Sequence, residues 1–158
     1  MAIWQHDLRI IPRNVPAERG FRPGERLSNA ADQSSWWASQ TVPNDLLEYL
    51  ASRFPRLQPW ARDWDIFGTE EGNRIDVICR DGRVEEIKTR FDAREPDEIF
   101  LDEVVRTARY VDGLFLTPDL RILEPDLFTI QEELANSPAA AFVRSQRERA
   151  RDGNDVGP

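Results

Sequence analysis

The stretch NRIDVICRDGRVEEIKTR, residues 73 to 90, has the pattern of a β-hairpin. Apolar residues alternate with mostly polar ones in its first half, and Ile87 and Thr89 continue the alternation in its second half. A three-residue loop, Arg80-Asp81-Gly82, would place the odd-numbered residues of both strands on one apolar face, with Gly82 in the left-handed conformation. A two-residue Asp-Gly turn would instead put Ile87 opposite Asp76. We predict that the odd-numbered residues of both strands form the apolar face of the hairpin.

Helical patterns lie on both sides of this hairpin. Residues 44–54 carry an apolar stripe that Pro55 ends, and residues 97–112 carry a longer stripe between Pro96 and Gly113. Together with the hairpin they predict an α+β fold, in which a mostly antiparallel central sheet of about five to six strands packs against helices at 44–54, at 97–112 and in the C-terminal region. Further strands are predicted at 7–12, 63–68, 114–117 and 120–125, and further helices at 127–137 and 138–149.

The chain length of 158 residues suits one domain. We assign residues 1–150 to this domain and residues 151–158, which are polar and contain glycine, to a flexible tail. A long irregular loop is expected after Pro12. A short helix is expected from Ala31 to Ser39, with one of the adjacent residues Trp36 and Trp37 in the core and the other partly exposed, because neighbours on a helix point about 100° apart.

The composition restricts the compartment and the partner. The formal net charge is −8, which disfavours nucleic acid and anionic lipid and favours a basic protein surface. The single cysteine excludes an intramolecular disulfide and fits a reducing compartment. The N-terminal stretch has charged residues where a signal peptide would be apolar, and no apolar run is long enough to span a bilayer. These features predict a cytoplasmic protein that does not enter the membrane.

The negative charge is concentrated in one region. Residues 97 to 136 hold ten Asp or Glu and three Arg, a balance of −7. Asp102 and Arg106 are four residues apart on one helix, so part of this charge is compensated. The acids that we expect to be least compensated, and therefore to bind a basic partner, are Glu124, Asp126, Glu132 and Glu133.

The residues IDVICRDGRVEEIKTR also resemble the local motif of the PD-(D/E)XK nuclease superfamily, in which an Asp on one strand and Glu-x-Lys on the next hold a divalent metal. This resemblance implies a metal-dependent nuclease with Asp76 and Glu86 as ligands of Mg²⁺. It further implies that Lys88 positions water or stabilises charge, and that Glu48 is a carboxylate supplied by the helix. Carboxylate oxygens are the ligands that Mg²⁺ prefers.

An ordinary β-hairpin with one face exposed to solvent would also carry Asp76, Glu86 and Lys88 on that face. Five of the seven residues from Val84 to Arg90 are polar, and opposite charges on neighbouring strands stabilise a half-exposed sheet by roughly 0.2 to 1 kcal/mol per pair. A central strand that is covered on both faces is usually apolar throughout. The pattern is therefore also explained without any catalytic role.

We favour a non-enzymatic acidic module that binds another protein and needs no cofactor. In size and character the chain resembles small bacterial immunity and inhibitor proteins, which neutralise a toxin by covering a basic surface. The metal-dependent nuclease using Asp76, Glu86 and Lys88 is the alternative. A third hypothesis is a structural module that self-associates into a homo-oligomer through an exposed tryptophan or a strand edge.

Overall fold

The hairpin lies at the centre of an antiparallel sheet that has helices packed against it. The computed structural model describes residues 2–28 and 35–154, without the side chains of residues 153 and 154. Within these residues seven strands form one sheet in the order β2-β3-β4-β5-β1-β6-β7, with every neighbouring pair antiparallel. The elements are β1 Gln5–Pro12, α1 Asn14–Glu18, α2 Leu46–Ala51, β2 Arg56–Leu57, β3 Trp64–Gly68, β4 Arg74–Arg80, β5 Arg83–Asp92, α3 Glu98–Tyr110, β6 Gly113–Leu116, β7 Ile122–Leu123, α4 Leu127–Ala135 and α5 Pro138–Asn154.

The predicted α+β class is confirmed, with more strands than expected. The additional strand is β2, which has only two residues and directly follows Pro55, so it leaves no periodic signal in the sequence. The predicted irregular loop after Pro12 also contains a short helix, α1. The helices expected at 44–54 and 97–112 are present as α2 and α3.

The turn of the hairpin differs from the predicted one, although the predicted face is correct. Arg80 pairs with Arg83, so the loop has two residues, Asp81 and Gly82, with φ of 52° and 74°. The pairing then shifts, because Ile78 opposes Glu86 while Cys79 opposes Val84, and Glu85 is the extra residue of a β-bulge. A two-residue loop with one bulged residue gives the same parity as a three-residue loop, which explains why the expected apolar face forms.

The odd-numbered face of the hairpin is the floor of the hydrophobic core. Ile75, Val77 and Ile87 are fully buried there. Helices α2 and α3 cover this face, because the ring of Phe100 contacts Phe91 of β5 at 5.6 Å and Phe54, just after α2, at 5.5 Å. Helix α3 begins at Asp97, whose side chain accepts a hydrogen bond from the amide of Phe100 at 2.9 Å.

Trp36 and Trp37 are both buried, with 5% and 2% of their surface exposed, so the expectation that one of them is partly exposed is wrong. Part of the predicted helix at 31–39, residues 31–34, lies outside the described residues, and residues 36–39 form a turn instead. A turn does not impose the angular separation of a helix. The indole Nε1 of Trp37 donates to the carbonyl oxygen of Ile10 at 2.8 Å, where the pairing of β1 with β5 ends.

The last helix extends further than expected. Helix α5 continues to Asn154, into the segment 151–158 that the sequence predicted as a tail, and residues 155–158 lie outside the described residues. Basic residues such as Arg151 are good helix formers, so the polar composition that indicated a tail is also compatible with an exposed helix. None of the helices in the described part of the chain combines the length and the apolar character needed to cross a bilayer.

Replacing Trp37 by Phe tests the contact between the turn and β1. The variant keeps most of the apolar surface but removes the donor, so a buried carbonyl loses its partner, and we expect the free energy of unfolding to fall by about 1 to 3 kcal/mol. Urea unfolding measures this difference. Trp60→Phe is the control, since Trp60 is 58% exposed, and it should change stability by about 0.5 kcal/mol or less. Equal losses in the two variants would contradict the assigned role.

Candidate functional site

The three hairpin residues of the nuclease motif lie on one face of the sheet. Asp76 on β4 is directly opposite Lys88 on β5, and Glu86 is opposite Ile78, two residues further along β4. The two carboxylates are therefore diagonal neighbours on the face that points away from the core. The three-residue loop expected from the sequence would have placed Asp76 opposite Glu86 instead, so the bulge moves a lysine into that position.

The carboxylate of Asp76 already forms an ion pair with an arginine. Its side chain is 0% exposed, and its two carboxylate oxygens lie 3.2 and 3.3 Å from Nε of Arg74. Arg74 is also buried, donates to the carbonyl oxygen of Glu70 at 2.7 Å, and has its guanidinium carbon 5.0 Å from the ring centre of Trp60. The expected half-exposed face is therefore wrong for this pair, because the ion pair is covered and not solvated.

Lys88 is paired with the neighbouring strand on its other side. Its Nζ lies 3.7 Å from Oδ2 of Asp7 on β1, and Nε of Arg90 donates to Oδ1 of the same carboxylate at 3.3 Å. Sequence reasoning missed Asp7, because β1 and β5 become neighbours only in the folded sheet. We call the set Asp7, Arg74, Asp76, Glu86, Lys88 and Arg90 the charged face.

Glu48 cannot join the charged face, so its assignment as the helix carboxylate of that site is wrong. It lies on α2, and the rings of Tyr49 on α2 and Tyr110 on α3 are stacked 3.9 Å apart. Both helices are on the core side of the sheet, and Glu48 itself is exposed to solvent. Across residues 2–28 and 35–154 no three or more His, Cys, Asp or Glu side chains are grouped so that they could hold a metal ion.

Three of the four acids predicted to bind a partner already have partners within the protein, and two of them, Glu124 and Asp126, lie at the surface. Glu124 accepts from both terminal nitrogens of Arg13 at 2.9 Å. Asp126 caps α4 by accepting from the amide of Thr129 at 3.0 Å and from its hydroxyl, which lowers the pKa of Asp126. These acids are more compensated than the sequence indicated. Glu132 is exposed on α4, with no side-chain partner in the described part of the chain.

Glu133 belongs to a buried cluster, so it is less exposed than the sequence indicated. Its Oε1 lies 3.1 Å from Nε2 of His6, and its Oε2 accepts from Arg121. The hydrogen bond with His6 and the charge of Arg121 lower the pKa of Glu133 despite its burial. The cluster connects β1, the residue before β7, and α4. His6 and Glu133 are 127 positions apart, so no local pattern could have revealed this contact.

A second acidic surface lies at the start of α3. Ile99 is 80% exposed there, because the buried stripe of α3 includes Phe100 and Leu101 and the preceding residue points outward. Ile99 lies at a groove of about 600 Å³ between the C-terminal end of α2 and the N-terminal end of α3. The groove is lined by four carboxylates, those of Glu95, Asp97, Glu98 and Glu103, and by one basic residue, Arg53.

The acidic groove keeps most of its negative charge. Nε of Arg53 lies 3.1 Å from Oε2 of Glu103, so this pair is neutral as a unit. Glu95, Asp97 and Glu98 are exposed, although Asp97 also caps α3. Partial positive charge at a helix N-terminus stabilises carboxylates there. The groove therefore combines an exposed aliphatic side chain with exposed carboxylates, an arrangement suited to binding.

Glu133→Gln tests the buried cluster. Because the native pKa of Glu133 is lowered from its ordinary value of 4.5, its ionised form stabilises the protein above that value, and this stabilisation is lost as pH falls through the native pKa. We expect the free energy of unfolding of the variant to be about 1 to 3 kcal/mol lower than that of the unmutated protein at neutral pH. The difference should shrink as pH falls below 4.5 and through the native pKa, in urea unfolding measured across the pH range. Glu132→Gln, one residue away and exposed, is the control, and a pH-independent difference would contradict the assignment.

Titration of Mg²⁺ and Mn²⁺ into the protein tests the nuclease interpretation. We expect no saturable heat of binding at the charged face, because the carboxylate of Asp76 is buried against a guanidinium that a divalent ion would have to displace. Isothermal titration calorimetry measures this. Saturable heat that disappears in Glu86→Gln and in Asp76→Asn, but persists in Glu132→Gln, would contradict the expectation and support the metal site.

Comparison with known proteins leaves the function to be inferred from this geometry. No family model matches the chain, and no curated protein or solved structure is significantly similar to it.

Proposed function

We propose that the chain is a non-enzymatic, acidic protein-binding module that recognises a basic surface on another protein, as immunity and inhibitor proteins do. The observation that carries this proposal is Ile99, which is 80% exposed at the edge of a groove lined by four carboxylates. Protein interfaces combine apolar anchors with a polar rim, and Ile99 beside these carboxylates offers both elements. A cytoplasmic location is part of the proposal, and the single cysteine supports it.

Charge supports a basic partner. The net charge of −8 attracts cationic surfaces at long range, and such steering raises the association rate. Asp97, Glu98 and Glu103 belong to the strongly acidic region 97–136, and Glu95 lies just before it. Nucleic acid would be repelled by the same charges.

The groove is a better centre for this contact than the four acids that the sequence indicated. Glu133 is buried, and Glu124 and Asp126 would lose existing hydrogen bonds if a partner drew them away. Carboxylates that are already exposed bind a cation without that loss. Glu132 remains available at the surface of α4 as a peripheral contact.

A metal-dependent nuclease is the second candidate. The observation that favours it is the common face of Asp76, Glu86 and Lys88. The buried ion pair of Asp76 with Arg74 opposes it, since a divalent ion would have to displace the guanidinium, although Oδ1 of Asp76 accepts no hydrogen bond from the described residues. The titration with Mg²⁺ and Mn²⁺ separates the two candidates.

Binding of a labelled nine-residue peptide of alternating arginine and leucine tests the proposal. We expect binding that weakens at least about tenfold between low and high salt, because exposed charges are screened within about 8 Å at physiological ionic strength. The Glu95→Gln/Glu98→Gln variant and Ile99→Ser should each weaken it about fivefold or more, since one removes charge and the other an apolar anchor. Fluorescence anisotropy measures the affinities.

Glu148→Gln/Asp152→Asn is the matched control, because it removes two exposed carboxylates of α5 that do not line the groove, and it should leave the affinity within about twofold. Salt-independent binding, or equal effects of the groove variants and the control, would overturn the proposal. A mass that rises with protein concentration in light scattering, with no binding of the peptide, would instead support the self-associating module.

A further inference from the structure

We infer that a second cavity, beside the acidic groove, receives a bulky apolar side chain of the partner, and that this side chain is close in sequence to an arginine or lysine bound by the groove. This inference rests on the proposed function and specifies the partner. The cavity has a volume of about 270 Å³ and lies between the end of β5 and the helices α3, α4 and α5. Its apolar walls include Phe91, Leu101, Leu134 and Ala140.

Small side chains create this cavity. Ala135 at the end of α4 and Ala140 near the start of α5 line it, at a place where larger residues would fill the space. An empty apolar cavity of about 150 Å³ accommodates benzene, so this volume is sufficient for a phenyl or an indole ring. Burial of such a ring is favourable by roughly 1.5 to 3 kcal/mol in general.

The buried and half-buried polar groups in the wall already have partners within the protein. Asp92 accepts from Nε of Arg94 at 3.0 Å, and its own amide donates to Oδ1 of Asn73 at 2.8 Å. The side-chain nitrogen of Asn73 donates to the carbonyl of Glu95, and Nε2 of His6 is paired with Glu133. A polar ligand would have to compete with these bonds, whereas an apolar one would not. The cavity therefore favours an apolar occupant.

Charge at Asp92 does not change this conclusion. Burial raises the pKa of its carboxyl, but hydrogen bonds from the side chain and backbone of Arg94 outweigh burial, and the pKa lies below its ordinary value. Asp92 therefore stays ionised and is held by Arg94, whose guanidinium also lies 4.3 Å from the ring centre of Trp4. The charge of Asp92 is thus compensated by an arginine that does not itself line the cavity.

The cavity and the acidic groove share a wall, which connects the two parts of the inference. Asn73, Pro96, Asp97 and Glu98 line both spaces. Residues in an extended segment are about 3.3 Å apart, so side chains one or two positions apart could enter the two spaces together. The exposed carboxylates of Asp97 and Glu98 at this boundary favour a cationic neighbour for the apolar side chain.

The probe is N-acetyl-phenylalanyl-arginine amide, titrated into the isotope-labelled protein and followed by NMR. We expect the largest shift changes at Phe91, Leu101 and Leu134. Replacement of phenylalanine by alanine in the probe should weaken binding about tenfold or more. Replacement of arginine by the uncharged citrulline should weaken it several-fold, since the charge is lost while the shape is kept.

Ala140→Leu fills the cavity and should weaken binding of the probe by about tenfold or more, whereas Ala141→Leu, on the exposed side of the same helix, should leave it unchanged. If Ala140→Leu does not give a native-like spectrum, Ala135→Leu fills the cavity from α4. Equal binding by the filled variant and the control would overturn the cavity as the site, and so would the absence of any probe binding.

The outcomes also separate this inference from the proposed function. If the arginine-leucine peptide binds in a salt-sensitive manner but the affinity of the probe is the same for Ala140→Leu as for the unmutated protein, the proposed function stands and the cavity is not part of the binding site. A probe that enters the cavity equally well with citrulline would overturn the cationic neighbour and indicate a site for an uncharged apolar molecule. Loss of both signals would remove the proposed function and this inference together.

Discussion

The pairing of β4 with β5 depends on one additional residue, Glu85, and the two faces of the sheet depend on that pairing. The two-residue turn alone would place Ile87 opposite Asp76 and turn one strand over relative to the other. The bulge at Glu85 corrects this, so Val77 meets Ile87 on the core side and Asp76 meets Lys88 on the opposite side. The floor beneath α2 and α3 and the charged face are thus consequences of one local backbone feature.

The protein uses its charges in two different ways. On the charged face and around Glu133, carboxylates are paired with Arg74, Lys88, Arg90 or Arg121 and are wholly or partly buried. Pairs of this kind contribute less to stability than to the uniqueness of the arrangement, because desolvation offsets much of their attraction. At the acidic groove the carboxylates are mainly in solvent, where they can act on other molecules. Net charge alone does not distinguish these two populations.

Periodicity predicted the elements with long stripes, and it missed features that are very short or that depend on contacts between distant segments. Helix α3 was expected because Pro96, Gly113 and the apolar positions between them give consistent signals. The strand β2 has only two residues, too few to leave a periodic signal, and the burial of Trp37 depends on Ile10, 27 positions away. The side chains that share the apolar face of the hairpin were predicted correctly, although the assumed three-residue loop was wrong. A two-residue turn followed by one bulged residue brings the odd-numbered residues of both strands to the same face, as a three-residue loop would.

Less of the candidate site than of the fold could be predicted from the sequence. The acidic groove combines the end of α2, the β3–β4 connection and the start of α3, and only the last of these lay in the region identified by charge. Exposure of Ile99 follows from the helical phase of α3 and could have been read from its stripe. The pairing of Glu133 with His6 could not, because 127 positions separate them.

The near absence of lysine has a consequence for covalent chemistry. Twenty of the 21 basic residues are arginine, so Lys88 supplies the only side-chain amine in these 158 residues. That amine lies on the charged face, partly buried and 3.7 Å from a carboxylate oxygen of Asp7. Acetylation, ubiquitin attachment and amine-reactive labels therefore share a single side-chain target, and each of them would act on the sheet itself and leave the acidic groove untouched.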